Sequence, residues 1–195
     1  MAIDAKLVAE LRAQTGAGMM DAKKALEESG GDLEKASELL RERGAAKAAK
    51  KADRATNEGR VHAYLHSTGK LGAMVEVLCE TDFVARNEAF IEFCNDLAVH
   101  VSASEPLFLN REDVPADMVE KEKGLFVREM EAQGKPADVI EKIVEGKMNK
   151  WYGEICLMEQ RFIKDEDLTI ADFVQRKIAS LGENMQLRRF ARFNI

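Results

Sequence analysis

His62 and His66 are the residues that could form a metal pair. They sit, however, in a run where Val61, Ala63 and Leu65 alternate with His62, Tyr64 and His66, which is the spacing of a strand. In a strand the two imidazoles lie about 13 Å apart along one face. That is too wide for two ligands of one zinc, each at about 2 Å. Cys79, Cys94 and Cys156 stand at unrelated spacings and make neither a zinc knuckle nor a redox pair. Cys79 could serve as a nucleophile, but a cysteine closing an apolar alternation is more often buried and inert. Gly69-Lys70 lacks the rest of a phosphate-cradling loop, with Tyr64 where the first glycine belongs and Leu71 where a hydroxyl belongs. No catalytic constellation assembles and no cofactor or bound metal is expected. The chain reads as a binding protein, not an enzyme.

The stretch Cys79-Glu80-Thr81-Asp82-Phe83-Val84-Ala85-Arg86-Asn87-Glu88 offers a different kind of chemistry. Before it, Leu71, Ala73, Val75, Val77 and Cys79 alternate as a half-buried strand. After it, Phe90, Cys94, Leu97 and Val101 step by four, three and four, as one face of a helix does. A buried element therefore holds each side of the junction. Asp82 and Phe83 sit together at its tip, with Thr81 or Asp82 placed to cap the next helical turn. Junctions on rigid scaffolds are where working residues are placed. Spacing alone leaves open whether Phe83 points outward or joins the core.

The 195 residues allow one good-sized domain, or a small module with a main domain. No apolar run approaches the roughly 18 residues that span a membrane, and residues 1–6 lack the pattern of a secretory signal. With an odd number of cysteines, this points to a cytoplasmic protein with reduced thiols. The net charge of −6 is unevenly spread: residues 1–55 carry 11 basic and 10 acidic groups, 56–184 carry 15 and 25, and 185–195 carry three arginines and no acid. So acidic a body is poorly suited to nucleic acid, and a protein partner is expected.

Residues 1–44 read as three short helices. Ile3, Leu7 and Leu11 mark the first, ended at Thr15-Gly16; Met19, Ala22 and Leu26 mark the second, ended at Gly30-Gly31. Asp32 caps a third carrying Leu33, Ala36 and Leu40, with Gly44 expected to end it. Adjacent Met19 and Met20 cannot share one stripe, so one is either an adaptable exposed contact or packs at the helix start. Residues 45–58 read as a basic, alanine-rich helical linker. The charges from Arg41 to Arg54 exceed the acids there by four, without the interleaved aromatics that nucleic-acid stacking would need.

Residues 59–195 read as an α+β core with an antiparallel sheet. Ser67-Thr68-Gly69-Lys70 turns the first strand into the second, making a hairpin. Two helices come next, around Val119, Phe126 and Met130 and around Val139, Ile140, Ile143 and Val144, separated by Gly134 and Pro136. Residues 154–163 have strand character, Thr169 and Asp172 fit a capping box for a helix through Leu181, and residues 185–195 are strand-like and arginine-rich.

Several of these stretches resemble the elongation factor Ts family. The matches are Thr15-Gly16-Ala17-Gly18-Met19-Met20-Asp21-Ala22-Lys23-Lys24-Ala25-Leu26, Ala45-Ala46-Lys47-Ala48-Ala49-Lys50-Lys51, Cys79-Glu80-Thr81-Asp82-Phe83-Val84-Ala85-Arg86, and Gly182-Glu183-Asn184-Met185 followed by Arg188-Arg189-Phe190. They cover the chain in order. The resemblance implies a guanine-nucleotide exchange factor for elongation factor Tu, with a ubiquitin-associated-like N-terminal module ahead of the α+β core. It implies that this module docks on the partner's nucleotide-binding domain, with Leu11, Met19 and Met20 expected at the contact. Thr81, Asp82, Phe83 and Val84 match the segment that dislodges the partner's magnesium ion, which implies an exposed Phe83 ring. The three N-terminal helices taken alone would also suit a ubiquitin-like-binding adaptor, a reading that leaves residues 81–84 without a use.

Longer members of the family carry a duplicated core, a protruding helical hairpin and an extra C-terminal segment, for which this length leaves no room. The chain resembles the short form, in which two copies pair. A short-form relative bridges its copies through a cysteine in the last strand; here that stretch reads Phe190-Ala191-Arg192-Phe193, so any homodimer is expected to be non-covalent.

Overall fold

The computed structural model describes residues 3–195. Three helices open the chain: α1 (Ala5–Thr15), α2 (Met19–Glu28) and α3 (Leu33–Ala49). The Asp4 carboxylate accepts from the Lys6 amide to cap α1, and Gly16 closes it in a left-handed conformation at φ 66°. Asp32 caps α3 by accepting from the Lys35 amide. Val8, Leu11, Ala22, Ala25, Leu26 and Ala36 form the buried core of this bundle. Four of those six are small or β-branched side chains, so the core is thin.

Gly44 does not end α3. The helix runs straight through it to Ala49, and Gly44 is buried where an added Cβ would lie 3.7 Å from the Cβ of Ala179. The glycine serves close packing here, not termination. As a result part of the basic stretch is helix, and several of its charges are paired: Arg41 with Glu38 at 2.8 Å, Arg43 with Glu28, Lys47 with Asp21 at 2.8 Å and Arg54 with Glu80 at 3.4 Å.

Strands β1 (Glu58–Leu65), β2 (Leu71–Cys79) and β5 (Met185–Asn194) form an antiparallel sheet in the order β1-β2-β5. The class is α+β, as the sequence indicates. Ala73, Val75, Val77 and Cys79 of β2 all turn to the buried face. On β1 the alternation holds but its polarity is the less obvious one. Val61 and Leu65 are exposed, while His62 and Tyr64 are the half-buried side chains. Cross-strand pairs share a face, so the register places Val61, Ala63 and Leu65 beside Glu76, Met74 and Gly72, and Ala191 and Phe193 beside Met74 and Gly72. The outer face at the hairpin end of the sheet is consequently apolar and bare.

A bulge in the β2–β5 ladder pairs Glu76 with Arg189 and Val77 with Leu187, leaving Arg188 as the extra residue. Both Arg188 (2.9 Å) and Arg189 consequently reach the Glu76 carboxylate, which holds its pKa below the usual range. Helix α4 (Asp82–Ala85) and helix α5 (Glu88–Ser104) come after β2, and α8 (Ile170–Leu181) precedes β5. Phe90, Cys94, Leu97 and Val101 are all fully buried, and Phe93 meets Phe173 edge-on at 5.2 Å.

The chain up to Val99, with Ala171–Ile195, makes one compact unit, and His100–Ile170 makes a second. In the second, α6 (Ala116–Ala132) and α7 (Ala137–Ile155) pack on each other around Met130, Val144 and Met148. The two helices expected on either side of Gly134 and Pro136 are therefore present, packed as a pair. Pro136 caps α7 and Gly134 turns the connection at φ 68°. The expected strand over residues 154–163 also needs correcting. Helix α7 continues to Ile155, Cys156 makes one isolated parallel bridge to Phe108, a 3-10 turn covers Leu157–Glu159, and β3 (Arg161–Phe162) pairs with β4 (Asp165–Thr169). The apolar alternation of Ile155 and Leu157 imitates a strand, but the Cys156 amide closes the helix onto Tyr152 O at 2.8 Å. Among the described residues no helix is long and apolar enough to cross a membrane.

Candidate functional site

The strand-to-helix junction is built outward from Cys79. The last pair of the central ladder joins Cys79 to Met185, which fixes where the chain leaves the sheet. Cys79 Sγ then donates to Thr81 O at 3.2 Å, and burial pushes its thiol up to about 11. At neutral pH it is a protonated core thiol, unfit as a nucleophile. Burial likewise raises Cys94 to about 12 and Cys156 to about 11.

Thr81 is extended, at φ −129° and ψ 154°, and caps α4 by accepting from the Val84 amide at 3.4 Å. The Ala85 amide donates to Thr81 O and the Arg86 amide to Asp82 O, each at 3.1 Å. One helical turn results, and it has one inner residue, the buried Ala85. Phe83 lies on the opposite side with 85% of its surface exposed, the most exposed phenylalanine of the chain. Asp82 pairs with Arg86 at 3.2 Å, a solvent-facing ion pair of the kind worth under about 1 kcal/mol. Asn87 accepts from the Ala89 amide at 2.8 Å and starts α5. A single turn with so few internal bonds is a weak helix by itself.

Its support comes from the far end of the sequence. Glu183 Oε2 accepts the amides of Glu80 (3.1 Å) and Thr81 (3.0 Å), and Glu183 Oε1 accepts the Thr81 hydroxyl at 2.6 Å. In return Glu80 Oε1 accepts the Asn184 amide at 2.6 Å and the Arg54 guanidinium at 3.4 Å, which together hold the Glu80 carboxyl below its ordinary range. The buried Asn184 side chain donates to Ala52 O (3.2 Å) and Arg54 O (2.9 Å). Residues 52–54, 80–81 and 183–184 thus share one hydrogen-bonded knot beneath the tip. Sequence reasoning assigned Glu183 and Asn184 no role, because nothing local connects them to a residue a hundred positions earlier. Their place in the Gly182-Glu183-Asn184-Met185 stretch that resembles the family was the available signal.

In the N-terminal bundle Met19 (61%) and Met20 (63%) are both exposed, at the start of α2. Gly18 caps that helix without a side chain, so no bulk screens either methionine. Met19 borders a shallow apolar groove with Ile3, Ala5 and Val8, rimmed by Arg12 and Lys23. Leu11 is different: it is fully buried, and the expectation that its side chain meets a partner is corrected. It is the central side chain on which α1 rests.

His62 faces Asn95 at 3.4 Å and His66 faces Tyr64 at 3.0 Å. Among the described residues no three His, Cys, Asp or Glu side chains gather closely enough to hold a metal. What the tip can do is mechanical: present a ring and a carboxylate, rigidly and in water, to another surface.

Comparison with known proteins gives the same family over nearly the whole chain. The family model "Elongation factor TS" matches residues 5–180. An elongation factor Ts of Maridesulfovibrio salexigens is 56% identical over 100% of this chain and 95% of its own length. Those of Geobacter sulfurreducens (54%, over 99% and 89%) and Fervidobacterium nodosum (52%, over 100% and 99%) are similar to it to nearly the same degree.

Proposed function

The chain belongs to the elongation factor Ts family of translation elongation factors, and from that premise we propose that it releases GDP from elongation factor Tu by pushing Asp82 and Phe83 into that partner. The observation that carries this reading is the exposure of Phe83 on a turn anchored from both sides. A phenyl ring held in water gives up burial that its own fold could have had. It regains that burial, about 1.5–3 kcal/mol, when it enters an apolar pocket of a partner.

Thr81, Asp82, Phe83 and Val84 form the inserted segment. Magnesium in the partner's site neutralises phosphate charge, so disturbing its coordination weakens GDP binding without breaking a bond. The coupling is reciprocal: whatever factor the chain takes from GDP affinity, GDP takes from the affinity for the chain. GTP then refills the empty site and expels the chain. No catalytic residue and no cofactor enter this cycle, and it takes place in the cytoplasm.

Met19 and Met20 supply a second contact, on the nucleotide-binding domain of the partner. Methionine suits such a surface because its flexible thioether adapts to irregular apolar shapes. The third surface is the bare side of the sheet, where Val61, Leu65, Met74 and Phe193 are exposed. We assign it to a second copy of the chain, in a non-covalent homodimer that carries two tips. The adaptor reading accounts for the methionines but gives the tip nothing to do. The experiment that tests the proposal is GDP release from elongation factor Tu with the wild-type chain and with Phe83→Ala.

A further inference from the structure

We propose that Glu183 is a positioning residue for exchange, acting through the tip and never touching the partner's nucleotide. The inference rests on the function proposed above.

The tip has little of its own to hold it. Its ring is in water, its helix is a single turn, and its ion pair is exposed. A turn this short does not offset its own nucleation cost. Fixing even one backbone residue costs conformational entropy, so the order must come from outside the segment. Glu183 supplies it with three hydrogen bonds to one carboxylate, two from backbone amides and one from the Thr81 hydroxyl. Hydrogen bonds to an ionised acceptor are the strong kind.

The geometry does more than tether. The Thr81 hydroxyl has one proton, and by donating it to Glu183 Oε1 it turns a lone pair toward the Val84 amide. Glu183 thereby orients the cap that starts α4, and α4 aims Phe83. The carboxylate is itself well placed, since it stands between two fixed points. Gly182 closes α8 at φ 83° with its amide on Ile178 O at 3.0 Å, and Met185 opens the ladder opposite Cys79. The Glu80 carboxylate on the Asn184 amide makes the arrangement reciprocal, each strand end being held by an acid from the other. Preorganisation of this kind matters when a side chain must arrive in one orientation.

The test uses the full-length chain with GDP-loaded elongation factor Tu. The release rate is measured against chain concentration for wild type, Glu183→Ala, Glu183→Gln, Phe83→Ala and the double variant Glu183→Ala/Phe83→Ala, with a thermal melt of each. Glu183→Ala is expected to lower the saturating rate about tenfold, the equivalent of ordering one residue at about 1.4 kcal/mol per factor of ten. Its half-saturating concentration should move less than about threefold. Glu183→Gln keeps the shape and one acceptor oxygen and should fall between the two. The double variant should be little slower than Phe83→Ala, because a positioning residue has nothing left to position. Full saturating rates in both Glu183 variants beside a slow Phe83→Ala would overturn this inference alone. So would multiplicative losses in the double variant, or a raised half-saturating concentration that tracks a lowered melting temperature. If Glu183→Ala does not fold, the Gln variant decides. A fast Phe83→Ala would instead overturn the function on which the inference rests.

Discussion

Phe83 and Ala85 lie two residues apart on one turn of helix, yet the ring is 85% exposed and the methyl 7%. The side chain that anchors the turn is the small one. Truncating the large one should therefore cost the fold little. Phe83→Ala is expected to lose less than about 1 kcal/mol, whereas Phe93→Ala, in the buried pair with Phe173, should lose about 3–5 kcal/mol. Chemical denaturation of the two variants measures this, and equal losses would place Phe83 in the core.

The N-terminal bundle should separate in the same way. Leu11→Ala empties the centre of a thin core and is expected to cost about 2–5 kcal/mol. Met20→Asp, at a side chain 63% exposed, should leave the melting temperature nearly unchanged while weakening association with elongation factor Tu. Calorimetric titration beside a melt checks both. A Met20→Asp chain that binds normally would remove the methionines from the interface.

How much the sequence made legible depends on the range of each signal. The β2 alternation and the α5 stripe repeat often enough to fix both the element and its buried face, and the exposed Phe83 sits between them as the family resemblance implied. Gly44 was misread because a glycine that ends a helix and one that lets α3 approach Ala179 look alike in one dimension. The polarity of β1 was open because its outer residues, Val61 and Leu65, are as apolar as core residues. Leu11 was placed at a surface where only the fold reveals a centre. The Glu183 contacts join residues 102 and 103 positions apart, and no periodicity encodes such a pair.

His100 gives a dependence on pH. It is fully buried, its Nδ1 accepts the Ile163 amide at 3.4 Å, and its Nε2 faces Gln160 Oε1 at 3.1 Å. That pattern requires the neutral ring with its proton on Nε2, and burial holds its pKa below the ordinary 6.5. The unfolded chain therefore binds the proton more readily than the native one. Its contribution is complete above about pH 6.5 and is lost as pH falls from there toward the lower native pKa, at no more than about 1.4 kcal/mol per pH unit. Urea unfolding at about pH 7, 6 and 5 should show this slope in wild type. His100→Leu should be less stable at neutral pH yet flatter over the same range, and an equal slope in the variant would remove His100 as the cause.

The bare face of the sheet should report on assembly. Sedimentation at high micromolar concentration is expected to show a dimer, unchanged by reductant because β5 contains no cysteine. Leu65→Asp places a charge on the apolar outer face, at a side chain 71% exposed in the single chain, and should yield a folded monomer. A wild-type monomer at that concentration would end the assignment of this face to a second copy.

The most direct measurement is the rate of GDP release from elongation factor Tu at saturating concentrations of wild type and Phe83→Ala. Wild type should accelerate release, and the variant, still folded and still bound, should be slower by roughly 10- to 100-fold. That range corresponds to the loss of about 1.5–3 kcal/mol of ring burial at about 1.4 kcal/mol per factor of ten. A folded Phe83→Ala chain that releases GDP at the wild-type rate would contradict the account.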